Sequence, residues 1–213
     1  MRRTAAVAAT LVLWLNGTAQ ATPITASLWA VNEAAAQNAI PANVPLTAPD
    51  VTFDVNAPLD FNPLHIGPQT VNEWLLSGSA FNINGSMDAL NRRMEEPGSM
   101  GTIVQFLGLV NVTTGQMITV THDDGLTLII GATNLGFPAV PAGFPFDVST
   151  ATYTGPSGAF PFQLVYADCC GSPAYLQLNL PLQPQPVPEP TTLALLGSGL
   201  VLAGLRRRFQ RGR

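Results

Sequence analysis

The stretch GQMITVTHDDGLTLIIGA, residues 115–132, decides how this chain is read. Met117 to Thr121 alternates apolar and polar side chains, the period-two pattern of a strand with one buried face. Asp124-Gly125 is a hairpin signal, because tight turns need backbone conformations that Asp and Gly tolerate. Leu126 to Ile130 follows as a second, more apolar strand. Asp123 and Asp124 stand side by side at the reversal. There they can either cap backbone N–H groups of a turn or begin the oxygen shell of a cation.

The pattern extends in both directions. Thr102 to Val112 is rich in Val, Ile, Leu and Phe, and Thr114-Gly115 makes a turn. A Pro/Gly loop covers Asn134 to Pro145, and Val148 to Tyr153 is a strand. Phe160 to Tyr166 and Tyr175 to Leu180 read as a final antiparallel pair. Upstream, Val51 to Val55 alternates as a strand before Pro58, Pro63 and Pro68 interrupt the chain. Ser86 to Glu96 (SMDALNRRMEE) predicts one short helix, ended by Pro97-Gly98. Short strands with turn residues between them predict an all-β, antiparallel sandwich or barrel, with that helix near 86–96.

Composition narrows the function. The chain has 213 residues, 10% of them charged, with 19 Gly, 19 Pro and no Lys. Residues 22–188 hold twelve Asp or Glu against Arg92 and Arg93, a balance of about −10. Such a surface repels nucleic acid, whose binding rests on cationic contacts to phosphate. It suits metal cations or neutral sugars.

The two ends are processing signals. Met1-Arg2-Arg3, an apolar run from Ala5 to Leu15 and Ala19-Gln20-Ala21 have the form of a secretory signal peptide, 1–21, cut after Ala21. An eleven-residue apolar core is too short for a bilayer about 30 Å thick. The expected partners are the Sec translocon and signal peptidase. The last 27 residues read VPEPTTLALLGSGLVLAGLRRRFQRGR. Val187, Pro188, Glu189 and Pro190 open a polar approach through 192, an apolar helix covers 193–205, and arginines fill 206–213. Arginine clusters stay on the cytoplasmic side, so the passenger lies outside. These three elements in order resemble a PEP-CTERM sorting tail. The resemblance implies recognition by an exosortase, a transient membrane anchor, and delivery to the surface or matrix of a Gram-negative, exopolysaccharide-making bacterium. The expected division is 1–21, a β ectodomain at 22–184, and the tail at 185–213.

His122-Asp123-Asp124-Gly125, the strand Leu126 to Gly131 and the segment Phe160 to Leu180 together resemble the PA14 family of β-sandwich modules. In its sugar-binding members paired Asp residues hold Ca²⁺, which holds sugar hydroxyls. The resemblance therefore implies Asp123 and Asp124 as metal ligands, and Asp123, Asp124 and Asn134 as the carbohydrate site. The other reading of Asp123-Asp124-Gly125, a turn alone, stays open.

Cys169-Cys170 are the chain's two cysteines, and they are neighbours. In an oxidising compartment they can form a vicinal disulfide, presenting a flat apolar ring to a sugar; an intermolecular bridge or free thiols are the alternatives. Adjacent thiols lack the spacing of a zinc site, and Asp168 has the wrong sign to activate a thiolate. His122 stands beside no nucleophile motif, and Glu95-Glu96 read as a solvated helix end. Trp29 and Trp74 read as core or as sugar-stacking faces. The expectation is a non-enzymatic, exported matrix protein that binds carbohydrate with Ca²⁺. The alternatives are a secreted polysaccharide hydrolase and a passive coat protein.

Overall fold

Residues with alternating burial pair into two antiparallel sheets, and the buried alternates of both meet in one core. The computed structural model describes residues 23–64, 67, 69–141, 146–171 and 173–180. In chain order these form β1 (Ile24–Asn32), α1 (Glu33–Ala36), β2 (Val51–Val55), β3 (Leu59–Phe61), α2 (Val71–Ser77), β4 (Phe81–Gly85) and α3 (Met87–Asn91). Then come β5 (Met100–Val112), β6 (Met117–His122), β7 (Leu126–Ile130), β8 (Thr133–Asn134), β9 (Asp147–Thr152), β10 (Gly158–Asp168) and β11 (Leu176–Leu178). One sheet has seven strands, ordered β4-β2-β1-β5-β10-β7-β8; the other has four, ordered β3-β11-β6-β9. The all-β antiparallel expectation holds.

β5 and β10 form the spine of the larger sheet, paired from Gly158↔Val112 to Asp168↔Thr102. Successive side chains point to opposite faces. Val104, Phe106, Leu164 and Tyr166 therefore enter the main core with Phe53 and Phe61. Ile103, Val165 and Ala167 point the other way and build a second, smaller core with Ala36, Ala39 and Cys169. Trp74 of α2 is fully buried and stacks on Phe61, ring centroids 4.1 Å apart, with Tyr166 beyond it at 6.1 Å. It is a core residue. Trp29 is also buried, its indole N–H donating to the Thr47 carbonyl at 3.0 Å.

Four sequence readings change. Asp124-Gly125 does not close a hairpin: β6 lies in the four-stranded sheet and β7 in the seven-stranded one. The reversal is a corner carrying the chain from one sheet to the other. Likewise β10 and β11 are not partners; β10 pairs with β5 and β7, β11 with β3 and β6. The predicted helix at 86–96 stops at Asn91. Beyond it the Arg92 carbonyl accepts from Val71 N–H and Met94 N–H donates to Gln69, so tertiary pairing takes these backbone groups from the helix. Finally, α2 was missed. Thr70-Val71-Asn72-Glu73 is a capping box, with both reciprocal bonds formed, and that pattern is visible in sequence.

Among the described residues no helix is long and apolar enough to cross a membrane. The signal peptide with Ala19 and Ala21, His65, and the tail with Val187, Pro188, Glu189 and Pro190 lie outside the described residues.

Candidate metal centre

The corner between β6 and β7 brings Asp123 and Asp124 beside the end of β10. The register explains why. Tyr166 of β10 pairs with Leu126 of β7, and Ala167 N–H continues the ladder to the Gly125 carbonyl at 3.1 Å. One step further, Asp168 meets Asp124. One ligand oxygen from each of Asp123, Asp124 and Asp168 lies within 4.8 Å of the others. All three side chains are buried, at 6%, 4% and 0% exposure.

Gly125 lets the corner turn this tightly. A Cβ there would stand 2.1 Å from the Ala139 carbonyl oxygen, and the neighbouring Leu126 N–H already donates to Pro138. Backbone cannot swing aside as a side chain can. Gly125→Ala is expected to cost about 1–3 kcal/mol of unfolding free energy in denaturant titrations, the usual penalty of overpacking. An unchanged midpoint would show that the 137–141 segment yields.

The carboxylates differ in what holds them. One oxygen of Asp123 accepts from the Tyr166 hydroxyl at 2.7 Å and from Tyr175 N–H at 3.0 Å. One oxygen of Asp124 accepts from Cys169 N–H at 2.6 Å. The second oxygen of Asp123 and both oxygens of Asp168 are buried without a hydrogen-bond donor. Glu95, read from sequence as a solvated helix end, is instead 4% exposed and accepts from Gly171 N–H at 2.7 Å. It adds a further negative charge to the cluster, felt by Asp124 and Asp168.

Burial dominates the electrostatics. It pushes the Asp123 carboxyl up to about 7, against the pull of Tyr175 N–H and the Tyr166 hydroxyl. Burial, then the charge on Asp123, pushes Asp124 up to about 8. Asp168 is raised well above the carboxylate range by burial first, then by Asp123, Asp124 and Glu95. Arg92 interacts with the charge on Asp168, but burial disfavours its own charge. Two ionised carboxylates have no proton to share, so contact between Asp124 and Asp168 demands either a bound proton or a cation.

The donor set fits a hard cation. It is all oxygen, which suits Ca²⁺, Mg²⁺ or Mn²⁺ rather than zinc or copper. Oxygens about 2.4 Å from a calcium ion can be at most about 4.8 Å apart, and one oxygen from each of the three carboxylates lies within that limit. A metal would also satisfy the orphaned oxygens of Asp123 and Asp168. The buried acidic triad can therefore bind a metal.

The other candidates disperse. Asn134 lies opposite Ile129, at the far end of β7 from the corner, and its side-chain oxygen accepts from Gly136 N–H at 2.9 Å. It does not join the carboxylates. His122 is buried, Nδ1 donating to the Asp124 carbonyl at 2.5 Å and Nε2 facing the Ser149 hydroxyl at 2.9 Å. Burial lowers its pKa, so the ring is a neutral brace for the corner. Cys169 and Cys170 are joined by a disulfide, with Cys169 buried and Cys170 exposed. Asp168 is the carboxylate of the cluster that sequence reasoning passed over; the strand QLVYAD carried it, once paired with the apolar strand after Asp124.

Comparison with known proteins adds two findings. Residues 186–208 match the model of the PEP-CTERM protein-sorting motif, which implies processing by an exosortase. No curated protein sequence matches the chain. Among solved structures, it is similar to a PA14 sugar-binding domain from an RTX adhesin: 16% identity, TM-score 0.49, covering 75% of this chain and 88% of that one. It is also similar to the PA14 domain of the antifreeze protein MpAFP: 17% identity, TM-score 0.46, covering 78% and 83%. The sorting-tail resemblance read from the sequence is thus returned over residues 186–208.

Proposed function

We propose that this is an exported, exosortase-sorted protein of the cell surface or extracellular matrix, and that its corner carboxylates hold Ca²⁺ for binding carbohydrate. One observation carries the reading: three buried carboxylates converge with oxygens that no donor satisfies. Uncompensated buried charge is costly, and a divalent cation removes that cost. Asp168 is the floor of the site. Asp123 and Asp124 keep 6% and 4% exposure, so water or a ligand would reach a bound cation from their side. Three carboxylates leave several of the six to eight calcium positions for carbonyls, water or the hydroxyls of exopolysaccharide.

The same geometry disfavours hydrolysis. A glycosidase sets two carboxyl groups about 5–9.5 Å apart across a substrate cleft. Here the oxygens are closer and the groups are buried. The leader 1–21, the ectodomain boundaries 22–184 and the passage through the Sec translocon belong to this proposal.

The test is co-sedimentation of the exported protein with exopolysaccharide, in millimolar Ca²⁺ and in excess chelator. Retention in Ca²⁺ and release by chelator are expected, with no reducing ends generated. Sugar release would replace the binding module with a hydrolase. Absence of retention in both conditions would leave a passive coat protein.

A further inference from the structure

We propose that the Cys169–Cys170 disulfide is a redox-controlled latch on the acidic cluster, so that reduction by a dithiol weakens cation binding at Asp123, Asp124 and Asp168. The inference rests on the cation reading given above.

The latch follows from chain position. Cys169 directly follows Asp168, the floor of the site. Its side chain is anchored in the small core with Ala36, Ala39, Ile103, Val165 and Ala167. Cys170 is exposed and reachable by a thiol. The amides on either side of Cys170 both serve the cluster: Cys169 N–H donates to Asp124, and Gly171 N–H to Glu95. Cys170 itself has φ +69°, a left-handed conformation that an L-residue with a side chain seldom adopts. The covalent bond to its neighbour holds it there. Gly171, at φ +138°, continues the unusual path.

Thiolate attack on the exposed Cys170 sulfur forms a mixed disulfide and breaks the protein S–S bond. The second thiol of the reagent resolves it. The products are two protein thiols and a cyclic disulfide, with two electrons and two protons passing from reductant to protein. Cys170 then relaxes toward ordinary backbone, and the two N–H donors withdraw from Asp124 and Glu95. Loss of such supporting partners lowers metal affinity by about 10–100-fold. The oxidising space outside the inner membrane keeps the latch closed, whereas a reducing cytoplasm keeps it open. The cation is therefore taken up after export.

The exported protein, purified oxidised, is titrated with Ca²⁺ calorimetrically before and after treatment with a dithiol, with circular dichroism to show that both forms stay folded. The Cys169→Ala/Cys170→Ala variant is titrated alongside. We expect the calcium Kd to rise by about 10–100-fold on reduction, to recover on reoxidation, and to be high in the variant whatever the reductant. Equal affinity in both redox states overturns the latch and leaves the calcium site standing. No calcium binding in either state overturns the calcium site, and the latch with it.

Discussion

Removing calcium lowers the thermal midpoint of the exported protein by about 5–10 °C, and Asp168→Asn abolishes the difference. The size follows from mass action. A ligand at a hundred times its Kd stabilises the fold by about 2.7 kcal/mol. In a protein of this length each kcal/mol moves the midpoint by about 2–4 °C. Asp168 is the choice because both its oxygens are buried without a donor. Asn keeps its shape, removes one charge and weakens the shell for a hard cation. In chelator the variant should melt above the wild type, since Asn stays neutral without taking up the proton that burial forces on Asp168. That reversal, stabilised without metal and indifferent to it, is not what a merely structural Asp would give. Superimposable wild-type melts in calcium and in chelator would end the cation reading.

Without metal, stability falls as pH rises from about 6.5 to 8, and calcium reverses the trend. Folded Asp123 and Asp124 titrate near 7 and 8, each raised by burial first. In the unfolded chain an Asp titrates near 3.9. Through the window the unfolded state has already lost these protons while the folded state still holds them. Stability then declines with pH, because the folded state binds more protons, and the decline continues through the folded pKa values. His122 has the opposite sign: burial lowers its pKa, so its contribution is lost as pH falls below about 6.5. Only the unfolded His122 is charged at the start of the window, and its opposing slope fades by about pH 7.5, leaving the carboxyl trend alone above it. Calcium displaces the remaining protons, so its stabilisation grows with pH and its binding releases protons. Chelator melts at a series of pH values, together with calorimetry in buffers of different ionisation enthalpy, measure both. Chelator midpoints that climb between pH 6.5 and 8 would contradict the assignment.

Much of the fold was written locally. Val51 to Val55, Thr102 to Val112 and Met117 to Thr121 show their strands because burial alternates along each. What local pattern does not encode is which sheet a strand joins. Asp-Asp-Gly signals a reversal, and a reversal serves a hairpin or a corner equally; the choice was made by β11 pairing with β6, and β10 with β7. The same limit hid Asp168. Asp123 and Asp124 drew attention because they adjoin a turn, but their partner lies 44 residues downstream and arrives through register. Glu95 was misplaced for the converse reason. A helical pattern suggested a solvated end, and the pairing of residues 92–94 with 69–71 pulled the segment inward.

The position of β11 bears on when this protein can fold. It is three residues long, ends at Leu178, and sits between β3 and β6. Those two strands have no direct ladder to each other and are stitched together by the last piece of the domain to leave the ribosome and the export channel. Until that piece arrives, the smaller sheet is two separate fragments and its apolar faces lack a keystone. The smaller sheet is thus completed only by the stretch of chain just ahead of the sorting motif, whose match begins at residue 186.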